Sequence, residues 1–131
     1  MSVNFSYKVG NYSDKGMVRD VNQDSFASAK NSWGELYVVA DGMGGHKGGE
    51  VASQLAVDHI RNAFKAVNSD IIPTDFLTNT IISANKVVQS KAEGNSELEG
   101  MGTTVVCIII KDGQAHIAHV GDSRLYIFRH G

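Results

Sequence analysis

A chain of 131 residues, 42% hydrophobic and 20% charged, has the balance of one soluble globular domain, which excludes a disordered segment, a collagen or a coiled coil. Its net charge of −2 leaves no basic surface for nucleic acid, and no apolar run nears the ~18 residues that a membrane span needs. The opening MSVNFSYKVGNYSDKG has no basic segment followed by an apolar one, and the lone Cys107 excludes an intrachain disulfide. A cytoplasmic chain without membrane or nucleic-acid partners is expected.

Val3, Phe5, Tyr7 and Val9 alternate with polar residues, the period of a half-buried strand. Ser25 to Ala29 reads as a second strand and Asn31 to Gly34 as a turn. Leu36 to Ala40 (LYVVA) is a continuous run of β-formers, so a buried strand is expected, ending abruptly at Asp41-Gly42-Met43-Gly44-Gly45. From Gly49 to about Val67 the period changes: Ala52, Ala56, Ile60, Ala63 and Val67 mark one face of a helix. A second helix is predicted after Pro73, with Thr74 as its N-cap and Leu77, Ile81, Ala84 and Val88 as its buried stripe. Thr103 to Ile110 and Gln114 to Val120 flank Asp112-Gly113, a strong two-residue hairpin signal. Gly121 to Arg124 then makes a turn and Leu125 to Arg129 a further strand. That last strand is an apolar edge with no helix following it, a liability that complete domains usually avoid and a first physical hint of truncation.

Three segments could carry chemistry. In VVADGMGGHKGGEVAS, Val38 to Ser53, a buried strand delivers Asp41 to a sharp bend where glycines let the backbone approach an ion or phosphate. Carboxylate and carbonyl oxygens suit hard divalent ions such as Mg²⁺ or Mn²⁺, although a purely structural glycine turn reads equally well from composition. In SDKGMVRDVNQDS, Ser13 to Ser25, Arg19 lies near Gln23 and Asp24; an arginine fork matches phosphate oxygens, while a solvated charged turn is the plainer reading. In GDSR, Gly121 to Arg124, Asp122 could present a carboxylate at the same sheet end as Asp41, or simply close a hairpin turn.

Competing motifs fail. The Gly44 to Gly49 spacing of a nucleotide phosphate loop is followed by Glu50 in place of lysine, and a dinucleotide fingerprint starting at Gly42 meets Lys47 where its third glycine belongs. Cys107 sits mid-strand among Val and Ile, the setting of a packed thiol rather than a nucleophile. His116 and His119, three apart in a strand, face opposite sides and cannot share a metal. His46, inside the glycine loop, stays a candidate.

Together and in order, these segments resemble the amino-terminal motifs of the protein phosphatase 2C family, in particular its bacterial branch. The D-x-G-x-x-R-x-x-N-[EQ]-D-S opening matches Asp14 to Ser25, D-G-M-G-G-H matches Asp41 to His46, G-T-T matches Gly102 to Thr104 and V-G-D-S-R matches Val120 to Arg124. The resemblance implies an α+β, four-layer α-β-β-α sandwich of two mainly antiparallel sheets flanked by helices, incomplete in this chain. It implies metal-dependent hydrolysis of phosphoserine and phosphothreonine in proteins, by a water activated at a binuclear Mn²⁺ or Mg²⁺ centre that can take a third ion. Asp41 would bridge two ions, the Gly42 carbonyl would ligate one and Asp122 would bind the third. Arg19 would hold the substrate phosphate, with Gln23 and Asp24 supporting the site; relatives with glutamate at the Gln23 position reach a metal through water. Partners implied are phosphorylated proteins and an opposing serine/threonine kinase.

Two departures qualify this reading. Met43 stands where eukaryotic relatives carry a histidine proposed as general acid, and two further metal-binding aspartates, in motifs resembling S-D-G and D-N, have no counterpart among the 131 residues. The isolated chain is therefore expected to be weakly active or inactive, and a non-catalytic metal- or phosphopeptide-binding fragment is the alternative.

Overall fold

The computed structural model describes residues 23–44 and 47–121. The strands expected at Val3 to Val9 and Leu125 to Arg129 lie outside these residues, as do Arg19, His46 and Asp122. The described chain runs β1 (Asp24–Lys30), β2 (Glu35–Met43), α1 (Gly48–Lys65), α2 (Pro73–Ala92), a 3-10 turn at Ser96–Leu98, β3 (Gly102–Lys111) and β4 (Gln114–Val120). The strands form one antiparallel sheet in the order β1-β2-β3-β4. Both helices lie on one face of it: α1 packs on β1, β2 and β3, and α2 packs on α1, β3 and β4.

Strand alternation decides what is buried. Ala27, Leu36, Val38, Ala40, Val105, Cys107 and Ile109 point under the helices and join Ala52, Ala56, Val57, Ile60 and Phe64 of α1 in one core. Each large aliphatic or aromatic side chain buried in this way contributes about 1.5–3 kcal/mol. The opposite face carries Val39 and Ile117, which are 48% and 39% exposed. The run Leu36 to Ala40 is thus buried on alternate residues only, because a single helical layer covers the described sheet.

Local signals explain the joints. Asn31 Oδ1 accepts the amides of Trp33 and Gly34 at 2.9 and 3.0 Å, while its Nδ2 donates to the Phe64 carbonyl at 3.2 Å. One asparagine therefore shapes the β1–β2 turn and pins it to the end of α1. Trp33, Phe64 and Phe76 pack with ring centroids 5.7 to 6.3 Å apart, closing the core at that end. Lys111 donates to the Trp33 carbonyl at 2.8 Å. Asp112 and Gly113 both take positive φ, 52° and 76°, which makes the tight β3–β4 turn expected of Asp-Gly.

Two boundaries differ from expectation. The N-cap of α2 is Ile72, with Pro73 in the first helical turn and Thr74 already inside the helix. Proline's fixed φ suits that position and its missing N–H costs nothing there, so the helix starts earlier than a threonine cap would place it. Of its predicted stripe Leu77, Ala84 and Val88 are buried, joined by Phe76 and Thr80, whereas Ile81 is half-buried. The second difference is that β2 does not stop at Asp41 but continues to Met43, since β3 pairs with it through Gly102.

Cys107 is fully buried, and burial pushes its thiol from 9.0 up to about 12. Tyr37 moves from 10.0 to about 12, first through burial and then through its 2.7 Å bond to the Glu35 carboxylate. Between those ordinary values and about 12 an unfolded chain releases protons that the folded chain retains, so stability declines as pH rises through that window. Urea titrations from neutral to alkaline pH are expected to show this falling midpoint, with Cys107 labelled by a thiol reagent only as the chain opens. Rapid labelling under native conditions would contradict the burial.

Candidate functional site

The site is built where three strands end together. Asp24 of β1 is the register partner of Asp41 of β2, and Asp41 is in turn paired with Thr104 of β3. Ala40 is buried beneath the helices, so Asp41, the next residue, projects from the other face, and Asp24 projects beside it. Both aspartates are exposed. Like charges set directly opposite each other are unfavourable in a sheet unless a cation, side chain or metal, joins them.

The main chain at Asp41 is held by a hydroxyl. Thr104 Oγ1 accepts the Asp41 amide at 3.3 Å and lies 3.4 Å from the Asp41 carbonyl, to which it donates. Thr104 is itself 5% exposed, and Thr103 Oγ1 donates to its carbonyl at 2.8 Å. Gly121 crosses above it with φ 91°, where a Cβ would stand 2.5 Å from Thr104 Cγ2. The residue before Asp122 is therefore glycine because Thr104 occupies the space a side chain would need.

Gly42 is buried against the start of α1. A Cβ there would lie 1.8 Å from the Gly49 carbonyl oxygen and 2.8 Å from that of Gln23. Its amide donates to the Gln23 carbonyl at 2.9 Å. Gln23 is half-buried just before β1, and its Nε2 donates to the Gly44 carbonyl at 3.2 Å. Behind this end of the sheet, Ser25 and Ser53 hydroxyls meet at 2.8 Å and tie β1 to α1. An apolar cavity of about 330 Å³ lies on the helical side, lined by Ile60, Ile81, Val88 and Val105 among others, and has no carboxylate in its walls.

Of the predicted site residues, the structure brings Asp41, Gly42, Gln23 and Asp24 together at one sheet end, while Arg19 and Asp122 lie outside the described residues. Carboxylate and main-chain carbonyl oxygens fit a hard divalent ion in chemical type. Among the described residues no group of three or more His, Cys, Asp or Glu could hold a metal. Thr104 was legible only as part of a G-T-T motif without a role, and the Ser25–Ser53 contact left no signal in the sequence.

Residues 17–131 match the family model of protein phosphatase 2C. The chain belongs to the protein phosphatase 2C family. It is 38% identical over 120 residues to the "Serine/threonine phosphatase stp" of Listeria monocytogenes serovar 1/2a, covering 88% of this chain and 48% of that protein. The crystal structure of serine/threonine phosphatase Stp1 from Staphylococcus aureus superposes with a TM-score of 0.81 at 37% identity, covering 95% of this chain and 50% of the other. The catalytic domain of the serine/threonine protein phosphatase PstP in complex with two manganese ions gives 0.71 at 34% identity, covering 86% and 47%. The chain thus spans about half the length of the first of these relatives. Its four-stranded antiparallel sheet with overlying helices makes it an α+β fold, matching about half of each superposed phosphatase. Among the described residues no helix is long and apolar enough to cross a membrane.

Proposed function

We propose that residues 1–131 form the amino-terminal part of a single phosphatase 2C catalytic domain that hydrolyses phosphoserine and phosphothreonine in proteins. The observation that carries this reading is the placement of Asp41 and Asp24 side by side at the end of the sheet, next to a glycine bend pinned by α1. Asp41 would hold Mn²⁺ or Mg²⁺ with the Gly42 carbonyl, and Asp122 would serve an additional ion. Bound there, a pair of such ions acidifies water and offsets phosphate charge, the chemistry of in-line phosphoester hydrolysis. The chain's own residues orient the reactants: Thr104 fixes the Asp41 main chain, Arg19 would grip the phosphate as a fork, and Asp24 adds negative charge next to Asp41. Phosphorylated proteins are the proposed substrates, opposed by a serine/threonine kinase, and the proposed setting is cytoplasmic.

A second reading is a metal- or phosphopeptide-binding fragment without turnover, which needs only the oxygens that Asp24, Asp41 and the Gly42 carbonyl offer at this sheet end. Phosphothreonine-peptide hydrolysis with Mn²⁺ separates the two. The 131-residue chain is expected to bind Mn²⁺ yet release phosphate slowly, and the reading frame extended downstream of Gly131 is expected to restore turnover. Rates typical of an intact enzyme from the short chain would overturn the expectation of weak activity, and an inactive extended chain would overturn the enzyme reading.

A further inference from the structure

Gln23 joins three segments that lie apart in sequence. Its carbonyl accepts the Gly42 amide at 2.9 Å, and its side-chain Nε2 donates to the Gly44 carbonyl at 3.2 Å. The partner in the second bond is a carbonyl, so nitrogen must face it. The same carboxamide lies over Gly49 at the start of α1, where a Cβ would stand 2.6 Å from its carbon, 2.7 Å from Oε1 and 2.8 Å from Nε2. Gly44 has φ 148°, a conformation that side chains resist and glycine adopts freely, so a hydrogen bond to its carbonyl restricts a backbone that is otherwise permissive.

We propose that Gln23 is a positioning residue: it braces the bend after Asp41 in place before any ion binds, and glycine at position 49 exists to make room for its carboxamide. The functional consequence rests on the metal-site reading above; the mechanical claim does not. Glutamine is chemically specific for this task. A carboxylate has no N–H to offer the Gly44 carbonyl and would set oxygen against oxygen. A residue whose task was to attract the ion would instead gain from that charge. Gln23→Glu therefore separates the two roles by sign.

The experiment measures amide hydrogen exchange at Gly42, Met43 and Gly44 in the metal-free chain, with Mn²⁺ affinity by calorimetry and the thermal midpoint alongside. Gln23→Glu and Gln23→Leu are expected to speed exchange at these amides by about two- to tenfold, the range one net hydrogen bond supports. Mn²⁺ affinity is expected to fall by a similar factor while the thermal midpoint drops by no more than about 5 °C, the loss of one hydrogen bond rather than of the fold. Gly49→Ala, which crowds out the carboxamide and leaves Gln23 chemically intact, is expected to have the same effect. Unchanged exchange in Gln23→Glu together with tighter Mn²⁺ binding would overturn the proposal and assign Gln23 to the ion. A parent chain that binds no Mn²⁺ would sink the metal-site reading, yet the exchange result would still decide the brace.

Discussion

Asp41→Asn is expected to weaken Mn²⁺ binding by on the order of 100-fold or more, since even residues that only orient a metal's ligands cost 10- to 100-fold when lost. The same substitution is expected to leave the fold standing. Asn matches Asp in volume, the side chain is exposed, and Thr104 holds the main chain at residue 41 whichever of the two side chains stands there. A shift of no more than about 1 kcal/mol in unfolding free energy follows for an exposed site of this kind. Calorimetric titration of parent and variant, paired with urea unfolding, checks both halves. Equal Mn²⁺ affinity would remove Asp41 from its proposed role, and a collapse of stability would show that the carboxylate serves structure instead.

Gly42→Ala is expected to do the reverse and damage the fold first. The added carbon would stand 1.8 and 2.5 Å from the Gly49 carbonyl oxygen and carbon, and 2.8 Å from the Gln23 carbonyl. All three are main-chain atoms that cannot swing aside, so either the start of α1 lifts from the sheet or the β1–β2 ladder opens. Overpacking of this severity costs about 3 kcal/mol, a fall of on the order of 10 °C in thermal midpoint for a chain of this size. Gly102→Ala provides the control. It lies opposite Met43 in the same ladder, yet its Cβ would meet nothing nearer than Met43 Cγ at 3.7 Å, an ordinary contact. A small effect at 102 and a large one at 42 would show that close approach, not glycine content, shapes the bend. Equal effects would contradict that account.

Periodicity revealed most of the elements because each obeys a local rule. The alanines and Ile60 of α1 declare a helix face, Asp112-Gly113 declares its turn, and Leu36 to Ala40 declares a strand. The glycines after Asp41 looked like an immediate loop, but Gly42 keeps its ladder because β3 pairs with it on one side and Gln23 accepts its amide on the other. Thr74 looked like a cap because threonine often is one, but Pro73 itself suits the first helical position and moves the cap back to Ile72. In the candidate site, Asp41 stood out as an acid at the end of an apolar strand. The brace by Gln23 and the hydroxyl of Thr104 did not, because each acts across a contact between residues more than 20 positions apart. Such contacts exist only once the sheet has assembled.

The most direct test adds substoichiometric Mn²⁺ to the isotopically labelled chain and follows paramagnetic broadening residue by residue. The account predicts that Asp24, Asp41 and Gly42 broaden first, with Thr104 next and the α1–α2 face away from them last. Broadening centred on the Glu93 to Glu99 loop, or none at all, would contradict it.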